Sequence, residues 1–143
     1  MSNIALRPDP FADLLRRAGL DRSSVIRVTG HGGLPALIWL CRHGYDQVGY
    51  LKPGCGCPHD RADALIVGPP CDEDGLERLL ADGPHVQAGG VLIFRSPLPQ
   101  AAGGDPIHRL LAMHGYAVER CLHGARRELH VARRLGRPER KAA

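Results

Sequence analysis

Lysine is almost missing from this chain. Of its nineteen basic residues only Lys52 and Lys141 are lysines, a bias that, with the many Ala, Gly and Pro, fits genomic base composition rather than a function. No long apolar run exists either. The longest, near residues 34–41, falls far short of the roughly 20 residues that a membrane helix needs, so no membrane partner is expected. No signal peptide is evident, and five cysteines is an odd number. Free thiols in a reducing cytoplasm are therefore the expectation. Ser23, Ser24 and Ser96 have no base at an informative spacing, so no nucleophile is assigned. There is no internal repeat.

The net charge of +4 is unevenly spread. Eight of the basic residues and only two of the acidic ones fall in residues 120–143, which leaves the rest slightly acidic. A basic end can steer polyanions. No nucleic-acid-binding motif accompanies it, so a solvated hairpin and tail is the favoured reading over nucleic acid.

What is present is an ordered alternation of strands and helices. At 143 residues, 24% charged and 43% apolar, the chain suits one soluble domain with a real core. Residues 1–10 carry two prolines and no periodicity and read as an arm. The domain then spans residues 11–135, and residues 136–143 form a basic tail. Phe11, Leu14, Leu15 and Ala18 recur at helical spacing, with Gly19 as the stop. The stretch VIRVTGHGG, residues 25–33, is an apolar strand leading into a glycine-rich turn. A helix follows over residues 34–43. Leu34, Leu37, Ile38, Trp39, Leu40 and Cys41 make it apolar nearly all round, the pattern of a helix buried on more than one side. Such a strand–turn–helix unit presents backbone N–H groups at the carboxyl end of a central strand.

Residues 47–51 are a second strand, weakened by Gly49. Residues 64–67 are a third, begun by Asp63 in a capping or solvated role. Asp72, Glu73 and Asp74 open a helix with Leu76, Leu79 and Leu80 inward and Gly83 as its stop. The turn Ala88-Gly89-Gly90 precedes a strand over residues 91–94, and residues 96–104 read as a loop. Asp105-Pro106 starts a helix with Ile107, Leu110 and Leu111 inward and Gly115 at its end. Residues 116–122 and 128–134 are antiparallel strands joined by His123-Gly124-Ala125. The sum is an α/β three-layer sandwich, with a mostly parallel sheet and a C-terminal antiparallel hairpin. Trp39 and Phe94 are expected in the core; His43, His108, His114 and His130 are expected at the surface or core edge.

The strand and turn VIRVTGHGG, the strand ADALIV, the turn and strand AGGVLIF, the helix end HGYAVE and the closing hairpin resemble, in that order, the class I S-adenosylmethionine-dependent methyltransferases. The likeness covers nearly all of residues 11–135. It implies that adenosylmethionine lies over Thr29, Gly30, His31, Gly32 and Gly33. It also implies an acceptor placed near Gly68, Pro69 and Pro70. The chain departs from the family at the cofactor positions. Where the family has an acid on the first strand, this chain reads Arg27-Val28-Thr29. Where a second acid receives the ribose hydroxyls, it reads Tyr50-Leu51-Lys52, and an ammonium donates only. After the third strand the amino-methylating branches carry Asp or Asn, two prolines and an aromatic; here Gly68-Pro69-Pro70-Cys71 stands instead. Amino methylation is not carried over.

Between the second and third strands the family places a helix, a strand and another helix. Here about ten residues remain. They must cross about two strand spacings, roughly 10 Å, and return along about 17 Å of strand. Ten extended residues reach about 33 Å, so the crossing is feasible. Pro53, Gly54, Cys55, Gly56, Cys57 and Pro58 are small or stiff enough to pass close to a sheet face. The rival reading is a metal site of Cys55, Cys57 and His59 with Cys71 as a fourth ligand, at a spacing unlike a standard zinc finger. Losing the middle leaves the second strand at the sheet edge, so a homodimer through that edge or the uncovered face is expected.

Three functional readings follow. The first is an S-adenosylmethionine-dependent methyltransferase-like protein whose activity is put in question by the absent ribose-binding acids. The second is a non-catalytic scaffold binding a protein partner or an anionic ligand, with Arg27, His31 and Lys52 suited to an anion. The third is a zinc-binding module. His31 either meets a ligand or caps nearby backbone.

Overall fold

The computed structural model describes residues 10–30, 32–51, 62–68, 71–82, 85–97, 106–123 and 127–135. The expected arm, the connector 52–61, the helix stop at Gly83, the cap at Asp105, the hairpin tip at Gly124 and Ala125, and the tail lie outside the described residues.

The elements follow in the order α1 (Pro10–Arg17), β1 (Val25–Thr29), α2 (Leu34–Arg42), β2 (Gln47–Tyr50), β3 (Ala62–Val67), α3 (Glu73–Ala81), β4 (Val86–Pro97), α4 (Pro106–Met113), β5 (Tyr116–His123) and β6 (Arg127–Arg134). They build one six-stranded sheet in the order β2-β1-β3-β4-β6-β5. β1 is an interior strand with parallel neighbours on both sides, pairing Val25 with Gln47 and Thr29 with Val67. β6 runs antiparallel between β4 and β5. The shortened middle thus leaves β2 as the last strand at that edge.

Alternation along the strands sends residues to two cores, one on each face. Ile26, Val28, Ala64, Ile66, Val91 and Ile93 pack under α1 and α2 through Leu14, Leu15 and Leu40. Leu65, Leu92, Phe94 and Ala132 pack under α3 and α4 through Leu76, Leu80, Ile107 and Leu111. The helix ends follow the residues expected of them. The Asp72 carboxylate accepts from the Gly75 N–H at 2.8 Å, an N-cap offsetting one unpaired donor. Gly19, Gly44 and Gly115 turn the chain out of their helices at φ +84° to +86°, where a side chain is strained. Asp63 caps the sheet's amino end: its carboxylate accepts from the Val25 N–H at 2.8 Å and from the Gln87 side-chain amide.

Four expectations are corrected. α2 is not buried on several sides: Leu40 is its only fully buried residue, while Leu34 and Ile38 are 57% and 43% exposed and Cys41 is exposed. α1 covers one flank, where Phe11 meets Trp39 edge-on at 4.7 Å. The apolar residues one turn apart on the other flank stay in solvent. β4 starts earlier than expected, because the Ala88-Gly89-Gly90 turn is a bulge inside the strand. β3 advances only from Ala62 to Ala64 while β4 advances from Val86 to Val91. Ser96 lies in β4, not in a loop. His130 is fully buried, not at the surface.

Candidate functional site

The carboxyl ends of β1 and β3 bring five of the expected site residues together. Gly30 leaves β1 at φ +90°, and the Gly33 N–H closes the turn on the Gly30 carbonyl at 3.1 Å. Gly68, just past β3, donates its N–H to the Thr29 carbonyl at 2.8 Å. A Cβ on Gly68 would stand 2.1 Å from the Gly33 nitrogen and 2.2 Å from the Gly32 carbonyl carbon. Only glycine allows the two backbones to meet there. Thr29, Gly30, Gly32, Gly33 and Gly68 therefore form one compact turn at the mouth of the sheet. His31 and Pro69 lie outside the described residues.

The space between β1 and β2 at this end is tied off by the chain's own hydroxyls. Thr29 Oγ1 donates to the Leu51 carbonyl at 2.7 Å, and the Leu51 N–H donates to the Val28 carbonyl at 2.8 Å. Tyr50 reaches across from β2, its hydroxyl donating to the Gly30 carbonyl at 3.1 Å. Tyr50 shares its side of the sheet with its register partner Val28, which faces α2. Thr29 belongs to the opposite parity of β1. The end of β2 is thus stapled to the glycine turn by one hydroxyl from each parity of the strands.

Arg27, one of the cations expected beside the cleft, lies against β2. It pairs in register with Gly49, and a Cβ on Gly49 would lie 2.8 Å from the Arg27 guanidinium. The long side chain lies across β2, and the glycine makes room for it. The stem covers sheet surface, as long basic side chains do. Lys52, the other cation expected nearby, lies outside the described residues.

Of the expected metal ligands, Cys55, Cys57 and His59 lie outside the described residues. Cys71 is buried in the core under α3. Burial, helped by the Asp72 charge, pushes its thiol up to about 11. Among the described residues no three His, Cys, Asp or Glu side chains converge as a metal site.

Two polar groupings give no signal in the linear pattern. Ser96 Oγ lies 2.8 Å from His130 Nε2, both buried, with the His130 ring stacked on Phe94 at 4.9 Å and met edge-on by His108. The partners are 34 residues apart, and only the antiparallel register that sets Phe94 against His130 reveals them. At 1% and 0% exposure both are enclosed among the described residues, and the pair links β6 to β4.

The second grouping is a polar cleft of about 300 Å³ at the opposite end of the sheet, lined by Asp21, Ser23, Ser24, Asp63 and Arg133 among others. Its groups are committed to the fold. Hydrogen bonds from Ser23 and Ser24 hold the Asp21 carboxyl below the usual carboxylate range. Arg133 donates to the Gly89 carbonyl at 2.6 Å, to the Ala18 carbonyl at 2.9 Å and to Glu119 at 2.6 Å. This guanidinium clasps β4, β6, β5 and the turn after α1.

No protein-family profile and no curated protein matches the sequence. The fold does match solved structures. A ribosomal protein L11 methylase from Lactobacillus delbrueckii subsp. bulgaricus superposes with a TM-score of 0.65 at 14% identity, over 85% of this chain and 75% of that one. The magnesium protoporphyrin IX methyltransferase of Synechocystis PCC 6803, solved with SAH bound, gives 0.61 at 11% identity, over 87% and 80%. The Methanococcus jannaschii fibrillarin pre-rRNA processing protein gives 0.54 at 12% identity, over 82% and 69%. The chain has the class I methyltransferase-like fold, shortened after the second strand.

Proposed function

We propose that this chain is a methyltransferase-like scaffold that works by binding a protein partner rather than by transferring a methyl group. One observation carries the reading: the β1–β2 mouth, where the resemblance puts the cofactor's ribose, is spanned by Tyr50–Gly30 and Thr29–Leu51 hydrogen bonds. A ribose diol there needs acceptors. Among the described residues no carboxylate stands there: Leu51 has an apolar side chain, the Thr29 and Tyr50 hydroxyls, fixed by the bonds they donate, keep only neutral lone pairs to accept with, and Arg27 is laid over Gly49. Each hydrogen bond to a charged acceptor that is lost removes about 1.5–3 kcal/mol, or roughly ten- to a hundredfold in affinity. The described residues here offer the cofactor's ribose no charged acceptor, so no methyl-transfer step is derived. An anionic ligand is less well supported than a protein, because Arg27 serves the sheet.

Calorimetry with adenosylmethionine and with SAH tests this. No binding heat at millimolar ligand is expected; micromolar binding of either overturns the reading. The second reading, an adenosylmethionine-dependent methyltransferase, draws support from the glycine turn and from the neighbour with SAH bound. Gly30, Gly32 and Gly33 would give its cofactor close backbone approach. For compartment we propose the cytoplasm, since Cys41 and Cys71 are free thiols. No described helix is long and apolar enough to cross a membrane.

A further inference from the structure

We propose that β2 and the solvent-facing side of α2 form a contact with a second copy of this chain, the two β2 strands pairing antiparallel about a two-fold axis. This deepens the binding reading above and rests on it for the purpose of the surface.

Among the described residues the sheet ends at two edges, β2 and β5. Proteins that stay monomeric disrupt such edges with charge, proline or a bulge. β5 has these devices: its register shifts between Val118 and Arg120, and it carries Glu119 in an ion pair with Arg133. β2 has none. It reads Gln-Val-Gly-Tyr, keeps regular register with β1 over all four residues, and contains neither charge nor proline.

The flank of β2 is also apolar. Of the five large hydrophobic residues exposed among the described ones, three lie on this side: Leu34 at 57%, Ile38 at 43% and Tyr50 at 46%. Leu34 and Ile38 are one helical turn apart. Large side chains of this kind bury on the order of 200 Å² each. About half of each exposed gives roughly 300 Å² of apolar surface per copy, enough for the centre of a standard interface of about 800 Å² per partner.

The strand is self-complementary as a two-fold contact requires. The Leu51 N–H turns inward to the Val28 carbonyl, so Val48 and Tyr50 present their main-chain groups at the open edge, and antiparallel pairing centred on Gly49 sets each Val48 against the other copy's Tyr50.

The test is sedimentation of the full chain from roughly 1 to 100 µM, together with hydrogen exchange. A concentration-dependent dimer is expected, with the outward-facing amides of Val48 and Tyr50 gaining protection as it forms. The double variant Leu34→Glu/Ile38→Glu is expected to weaken the dimer at least tenfold while circular dichroism stays unchanged. Met113→Glu, at an exposed apolar site on α4, is expected to leave it intact. A monomer throughout that range overturns the proposal. So does a dimer indifferent to the double variant, or one whose β2 amides stay unprotected. A monomer that ignores adenosylmethionine removes the interface and leaves the scaffold reading; a dimer that binds adenosylmethionine at micromolar concentration does the reverse.

Discussion

At one end of the sheet, β6 is bolted to the body by polar side-chain contacts between residues distant in sequence. Arg133 reaches Ala18 and Gly89. Arg134 donates to the Val86 carbonyl at 2.7 Å, and Ser96 meets His130. At the other end, β2 is held by its ladder to β1 and by two hydroxyls at its tip. The same fold therefore has a finished edge and an unfinished one. Among the described residues the sheet stops at β2, on the side of a helix whose Leu34 and Ile38 are exposed.

The contrast yields four measurable expectations. The largest effect belongs to Arg133→Ala, which strips three carbonyl and carboxylate contacts from the finished edge. A loss of about 2–3 kcal/mol in urea unfolding is expected. Thr29→Val removes the donor to the Leu51 carbonyl and should cost about 1 kcal/mol. A smaller cost at Arg133 than at Thr29 would reverse the comparison.

Acid has a lesser effect, confined to the finished edge. The hydrogen bond from Arg133 holds the Glu119 carboxyl below its ordinary 4.5. The stability it adds is present above that value and is lost as pH falls below it. Because Glu119 is largely in solvent, the loss is small. Glu119→Gln should flatten this part of the stability profile between about pH 5 and 3. Smallest of all, Tyr50→Phe removes an exposed hydroxyl bond and should change stability by no more than about 0.5 kcal/mol. Performed at concentrations below dimer formation, it isolates the strand tip itself.

Much of the architecture was legible in the chain. Strand and helix periods placed β1, β3, the hairpin and all four helices, and the short connector implied β2 as an edge. The polar end of the molecule was not legible. Ser96 and His130 become partners only when β4 and β6 align antiparallel, and no spacing rule encodes that register. Glycine at 89 and 90 read as a turn, because a bulge and a turn use the same residues. α2 read as buried because its composition is that of a covered helix; what had gone was the element that would cover it. At the candidate site the glycines were found from sequence. The Tyr50–Gly30 and Thr29–Leu51 ties were not, because a hydroxyl's partner depends on where the neighbouring strand ends.

The contact between Gly68 and Gly32–Gly33 has a mechanical consequence. Two stretches of bare main chain rest against each other with no side chain between them, so nothing there can swing aside by changing rotamer. The start of α2 is keyed to the exit of β3 as rigidly as peptide planes allow. Among the described residues this corner is main chain locked by its own bonds, Gly33 to Gly30 and Gly68 to Thr29, and a change at either glycine would push the helix start and the strand exit apart together.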